Sequence, residues 1–210
     1  MTVDTKKDII RNNIINSVQV YKNKLAGKYY LYIFENQYFE MYFGTDNFLH
    51  LTGVKTALTP NQFYQLAKNG HLQKAQMSFE PRFPLNTALK KTNGLQNLDN
   101  FINEDCFVIK DFITDTETYP FVLTNIDQSI LIGLKAEEIE VMYIPKSFRI
   151  KGNVFDKTTN DKLFEVDYIL SKTDKQAKYN TVLYSCDKKI KIENPEILSK
   201  ISENVLLSEA

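Results

Sequence analysis

The chain has 210 residues, 43% of them hydrophobic, which is enough apolar material for one substantial core and fits one large domain better than two small ones. Twenty-six basic residues balance 26 acidic ones, so net charge supplies no long-range field to gather a polyanion. The opening MTVDTKKDII is charged where a secretory signal needs an apolar run, and no later stretch approaches about eighteen apolar residues, so neither export by that route nor a membrane span is expected.

Residues 4–26 set Ile10, Ile14, Val18, Tyr21 and Leu25 at steps of three and four. That stripe predicts an amphipathic helix, with Thr5 and Asp8 spaced as a capping box and Gly27 as the stop. Residues 28–43 turn aromatic and branched (YYLYIFENQYFEMYF), with Glu35, Asn36 and Gln37 as the polar break, and predict two strands in a tight hairpin. After Gly44 the run TDNFLHLTGVKT reads as an extended segment leading to Thr59, an N-cap ahead of Pro60, and to a helix over 60–68 stopped by Gly70. Short helices are expected over 86–91 and 95–102, and FEPRFP at 79–84, with two prolines, is a loop.

Strand patterns then follow one another at 106–112, 121–125, 129–134, 140–144, 164–170 and 179–186, as in a β-meander. Pro195, Ile197, Leu198, Ile201, Val205 and Leu206 mark a closing helix expected to dock back. Helices first and an antiparallel sheet afterwards give an α+β class with segregated elements, read as one domain over 1–210 with 151–192 as an added hairpin region and 193–210 as the C-terminal helix. Cys106 and Cys186, far apart and without metal-site spacing, are expected to be buried reduced thiols.

Seven glycines form neither a G-x-G-x-x-G nor a G-K-[ST] loop, which argues against kinases, NTPases and dinucleotide enzymes, and no cofactor is expected. Residues 146–191 hold eleven Lys or Arg against six acids, either a phosphate-facing surface or a solvated hairpin. Only two histidines are present, so a His-rich metal site is excluded. His71, just past a predicted helix end, suits the negative end of the helix dipole. His50 lies between Leu49 and Leu51, so in an extended segment it points away from both. It is either a satisfied residue fixing the turn before Gly53 or an acid/base group, for which an imidazole pKa near neutrality is suited.

The run GTDNFLHLTGVKT, the helix bearing Phe63, the pair Lys90 and Lys91 before Leu95 and Leu98, the strand ending ILIGL (129–134) and YIPKSF (143–148) together resemble a family found in phages and conjugative elements of low-GC Gram-positive bacteria. The family is a phage-associated nuclease domain with the fold shared by barnase, EndoU, tRNase colicins and RelE, and the resemblance spans about 29–150. It implies N-terminal helices packed on an antiparallel, strongly bent sheet. It also implies metal-independent RNA cleavage, in which a 2′-hydroxyl attacks the neighbouring phosphate with help from a base, an acid and charge-stabilising groups. On that reading His50 is the base or acid, Lys146 or Lys90 the phosphate stabiliser, and Ser147 or Thr52 a hydrogen-bond donor to a nonbridging oxygen.

Each has a structural alternative: Lys146 and Ser147 as a turn after Pro145, Lys90 and Lys91 as an exposed helix face, Thr52 as a cap. The expected partner is RNA, with tRNA as a candidate, in the cytoplasm of a bacterial host. The competing expectation is a non-catalytic protein of a mobile element that docks on a host defence or toxin protein, for which neutral charge and 12% aromatic content without tryptophan are equally suited.

Overall fold

The computed structural model describes residues 1–82, 84–114, 117–137, 140–150, 163–188 and 190–208. Helix α1 (Val3–Val20) begins one turn earlier than the capping-box spacing suggests. Thr2, in extended conformation, is the N-cap, and its hydroxyl accepts from the Thr5 backbone N–H at 3.2 Å. A π-helical turn (Tyr21–Leu25) continues it and keeps Tyr21 and Leu25 on the stripe of Ile10, Ile14 and Val18, all five fully buried. Gly27, at φ 76°, closes the segment.

Strands β1 (Tyr29–Phe34) and β2 (Gln37–Tyr42) form the expected hairpin. Its turn places Glu35 and Asn36 both at positive φ, the pairing that matches the twist of a two-residue hairpin. The next segment is helical rather than extended: α2 (Asn47–Thr52) buries Phe48 and Leu51, three residues apart, so the inward period is that of a helix. Asn47 anchors its start, its side-chain oxygen accepting from Gly44 N–H at 2.8 Å, and Gly53 ends it at φ 69°. Helix α3 (Pro60–Lys68) carries the full capping box between Thr59 and Gln62. Helix α4 runs longer than expected, Leu85–Gly94, and the predicted helix over 95–102 divides into a 3-10 turn (Leu95–Asn97) and α5 (Asn100–Asn103).

Strands β3 (Cys106–Ile113), β4 (Thr118–Asn125), β5 (Ile130–Glu137) and β6 (Glu140–Ile150) form the meander. The expected strand over 164–170 is two, β7 (Leu163–Glu165) against β3 and β8 (Tyr168–Lys172) against β1, with β9 (Thr181–Ser185) beside β8. The nine strands lie in the order β7-β3-β4-β5-β6-β2-β1-β8-β9, antiparallel throughout except where β2 meets β6 at Met41 and Tyr143. Only Val166 and Asp167 separate β7 from β8, and their N–H groups donate to Cys106 and Ile33, on β3 and β1. Two residues reach no further than about 7 Å. The edge strand β7 therefore lies close to β8, the strand next to the opposite edge.

Helices α1 to α4 and the inner sheet face enclose the main core, in which Tyr32 stacks on Phe39 (5.0 Å) and Phe39 on Phe121 (4.8 Å). The C-terminal segment docks back as expected, but as two short helices, α6 (Pro195–Lys200) and α7 (Glu203–Ser208), burying Ile197, Ile201 and Val205 against Leu31, Ile33 and Leu170. Strand β1 is thus covered on both faces, which explains its unbroken aromatic and aliphatic run. Cys106 and Cys186 are free and buried. Among the described residues, no helix is long and apolar enough to cross a membrane.

Candidate functional site

Strand β6 organises the site. It runs straight through Pro145, where the sequence suggested a turn, because β5 pairs with it on both sides of the proline: Gly133 faces Ser147 and Leu134 faces Pro145. Lys146 is left out of the pairing as a bulge, a position that tolerates a neighbouring proline and re-aims a side chain. Helix α2 packs on β6 here, and Lys146 comes close enough to His50 to act on its titration.

His50 is exposed on α2. Its imidazole pKa lies below the ordinary value, first through loss of water, next through the Lys146 charge, with the Asp46 carboxylate pulling the other way. Asp46 is four residues before His50, one helical turn away. Among the described residues Lys146 has no ion-pair or hydrogen-bond partner, so its charge is not neutralised locally.

Lys91 adds a second cation. Gly53 makes room for it: a Cβ at Gly53 would lie 2.8 Å from Lys91 Cδ, 3.6 Å from Cε and 3.7 Å from the Ala88 Cα. Half-buried against α2 and with no hydrogen-bond or ion-pair partner among the described residues, the Lys91 amine is pushed down to about 8 by burial, with Arg149 contributing. Lys90, one residue earlier, is exposed.

Thr52 is fully buried, its hydroxyl donating to Leu49 C=O at 2.8 Å and accepting from Val54 N–H at 3.2 Å, which fastens the end of α2. Ser147 belongs to a different group of side chains. Its Oγ accepts from Arg149 Nε at 3.3 Å. Arg149 and Lys135 lie 5.7 and 5.6 Å from the buried Tyr119 ring, the Tyr119 hydroxyl donates to Glu117 at 2.5 Å, and Glu117 is paired with Lys135. Gly133 admits the ring, since a Cβ there would stand 2.7 Å from it.

The structure therefore brings His50 and Lys146 together, sets Lys91 against Gly53 at the end of α2, buries Thr52, exposes Lys90 and joins Ser147 to Arg149. Lys91 was legible only as half of a lysine pair, although Ala88, Thr92 and Leu95 mark the buried stripe of that segment, and residue 91 stands one turn after Ala88. Tyr119 and Arg149 carried no sequence signal beyond charge and strand pattern.

The basic excess of 146–191 is dispersed. Lys172 lies over Tyr179 and Lys188 pairs with Glu165, while 151, 157, 162 and 189 fall outside the described residues. A cavity of about 370 Å³ between α5 and the β4–β5 turn is lined by Asn97, Glu104, Asp105, Asn125 and Asp127, a lining unsuited to a phosphate. Among the described residues no three His, Cys, Asp or Glu side chains converge as metal ligands.

Comparison with curated proteins and with solved structures returned no match. The family comparison did: residues 13–188 match the description phage-Barnase-EndoU-ColicinE5/D-RelE like nuclease 4, beyond both ends of the 29–150 resemblance. A match over most of the chain, on a frame of N-terminal helices and a mostly antiparallel sheet, means that the protein belongs to this nuclease-like family.

Proposed function

We propose that the chain is a metal-independent endoribonuclease that cleaves RNA at the contact between α2 and β6, with His50 as general base and Lys146 as the phosphate-stabilising cation. The observation that carries this reading is the pairing of an exposed histidine with a lysine that has no carboxylate partner. An un-neutralised cation of this kind suits a phosphodiester, whose transition state gains negative charge. Burial and Lys146 keep His50 neutral near pH 7, the form that can take the 2′-hydroxyl proton. Attack of that oxygen on phosphorus and loss of the 5′-oxygen give a 2′,3′-cyclic phosphate and a 5′-hydroxyl.

Thr52 serves as the lock on α2, Lys90 as a solvent-facing charge and Ser147 as the partner of Arg149. The substrate class is RNA, tRNA included, and the setting is a phage or conjugative element of a Gram-positive host, whose cytoplasm is the site of action.

Purified wild type and His50→Ala are incubated with total bacterial RNA in EDTA, and fragments ending in cyclic phosphate are sought. Fragments from wild type alone support the reading. Fragments that vanish with EDTA defeat metal independence. No fragments from either folded protein replace enzyme with a binding protein, to be pursued by pull-down of a host defence or toxin partner.

A further inference from the structure

The geometry points to Tyr42, Tyr29 and Lys172 as a stacking subsite that holds an unpaired nucleotide of the RNA strand beside the phosphate cleaved at His50. This inference rests on the ribonuclease reading and extends it, because cleavage at one phosphate needs the strand to be positioned by contacts beyond that phosphate.

The three residues form one row across the sheet. Tyr29 of β1 is the direct cross-strand partner of Tyr42 on β2 and of Lys172 on β8, so all three side chains leave the same face. Two strand spacings make the row about 10 Å wide. The Tyr29 and Tyr42 rings lie 4.7 Å apart at 31°, and the Lys172 amine stands 5.7 Å from the Tyr29 ring and 4.5 Å from that of Tyr179. Tyr42, Tyr29 and Lys172 are each half-exposed, whereas Leu31 and Leu170, next along the same face, are buried under α6 and α7. The row is therefore the margin that the C-terminal segment leaves accessible. Tyr42 ends the stack: among the described residues no second ring packs on it and its hydroxyl has no hydrogen-bond partner.

The charges on this face suit a phosphate at the Lys172 end. Among the described residues no carboxylate pairs with Lys172, whose amine donates to the Lys175 C=O at 3.0 Å. Glu40, on the same face of β2, is engaged by Lys200 at 2.6 Å and by the Tyr179 hydroxyl at 2.9 Å. Lys28 flanks Tyr29, and the turn after β8 adds Lys175 and Lys178 against the single acid Asp174.

The Tyr42 end of the row borders the candidate site. Gly44 makes the join: a Cβ there would stand 3.4 Å from Tyr42 Cε1 and 2.5 Å from Asp46 Oδ1, so ring and carboxylate flank the same bare backbone. Asp46 stands one helical turn before His50 and acts on it. Strands β2 and β6 run parallel from Met41 and Tyr143, so Tyr42 and Lys146 lie toward the same end of the sheet. A ring that ends a stack takes a base by its π-face, which every nucleobase offers, and a lysine beside it takes the backbone. Bases within a duplex are stacked on one another and out of reach of a sheet face, so the subsite selects single-stranded RNA.

The test uses full-length His50→Ala protein, which on the ribonuclease reading binds without cutting, and the same protein carrying Tyr42→Ala, Tyr42→Phe or Lys172→Gln, each checked for folding by thermal melting. The probe is fluorescein-labelled oligouridylate, alone or annealed to oligoadenylate, read by anisotropy. Tyr42→Ala is expected to weaken single-strand binding by about 5- to 150-fold, Tyr42→Phe to leave it within about twofold, and duplex binding to respond to neither. Lys172→Gln is expected to lower the slope of log affinity against log salt by about 0.7. Unchanged binding in Tyr42→Ala, an equal loss with duplex, or an unaltered salt slope in Lys172→Gln each overturns the subsite, while RNA cleavage by wild type leaves the ribonuclease reading intact. A folded protein that binds no oligouridylate also overturns it and gives the row to a protein partner. Single strand held through Tyr42 by a protein whose wild type cleaves no RNA supports the subsite and defeats only the reaction.

Discussion

Two groups of side chains along β6 carry similar residues and opposite electrostatics. Around Tyr119, Lys135 has Glu117, Arg149 has the Ser147 hydroxyl, and both cations rest against an aromatic ring. At α2, Lys146 of β6 acts on His50 and Lys91 of α4 lies against Gly53, and among the described residues neither ammonium has an ion-pair partner. A satisfied charge cluster holds a strand in place, and exposed pairs of this sort add at most about 1 kcal/mol. An unsatisfied one keeps its field for a ligand. Which residues look chemical in the sequence is therefore a weaker guide than which ones lack a partner after folding.

The comparison can be broken most directly at His50. His50→Ala is expected to cut RNA turnover by about 10²- to 10⁴-fold with melting unchanged. Lys146→Ala is expected to follow with a loss of about 10²- to 10³-fold. It has a second signature: the rate rises with pH as His50 deprotonates, and removing a neighbouring positive charge raises that pKa, so the acid limb moves to higher pH. Asp46→Asn moves it lower. On the other side, Gly133→Ala forces a methyl into the Tyr119 ring and should destabilise by about 1–3 kcal/mol in denaturant titrations, while each molecule that stays folded keeps its turnover. The smallest effect belongs to Ser147→Ala and Lys135→Met, which should leave turnover unaltered and stability within about 1 kcal/mol. If either silences the protein as His50→Ala does, the satisfied side is the reactive one.

Much of the frame was legible because its signals are local. The hairpin at Glu35 and Asn36, the capping box at Thr59 and the meander from Cys106 each depend on neighbouring residues. Asn47–Thr52 misled because Leu49 and Leu51 flank His50 in alternation, whereas packing selected Phe48 and Leu51 as the inward pair. The straight course of β6 through Pro145 depends on pairing with Gly133 and Leu134, which nothing near the proline announces. Lys90 and Lys91 differ by one step of a helix, and only the approach of Gly53 shows which of the two is held. Of the candidate site, His50 and Lys146 were named in advance, while Lys91 awaited a neighbour from another element.

The parallel pairing of β2 with β6, Met41 with Tyr143, has a consequence in time. His50 is made early in synthesis and Lys146 late, and they meet only after β6 has been laid beside β2. Pairings between residues so distant in sequence form slowly. Until Lys146 has been made a chain has one without the other, so up to that point the ribosome that makes it is not exposed to an assembled centre. On the ribonuclease reading, the topology works as a delay, keeping the nascent product harmless to the RNA that encodes and builds it.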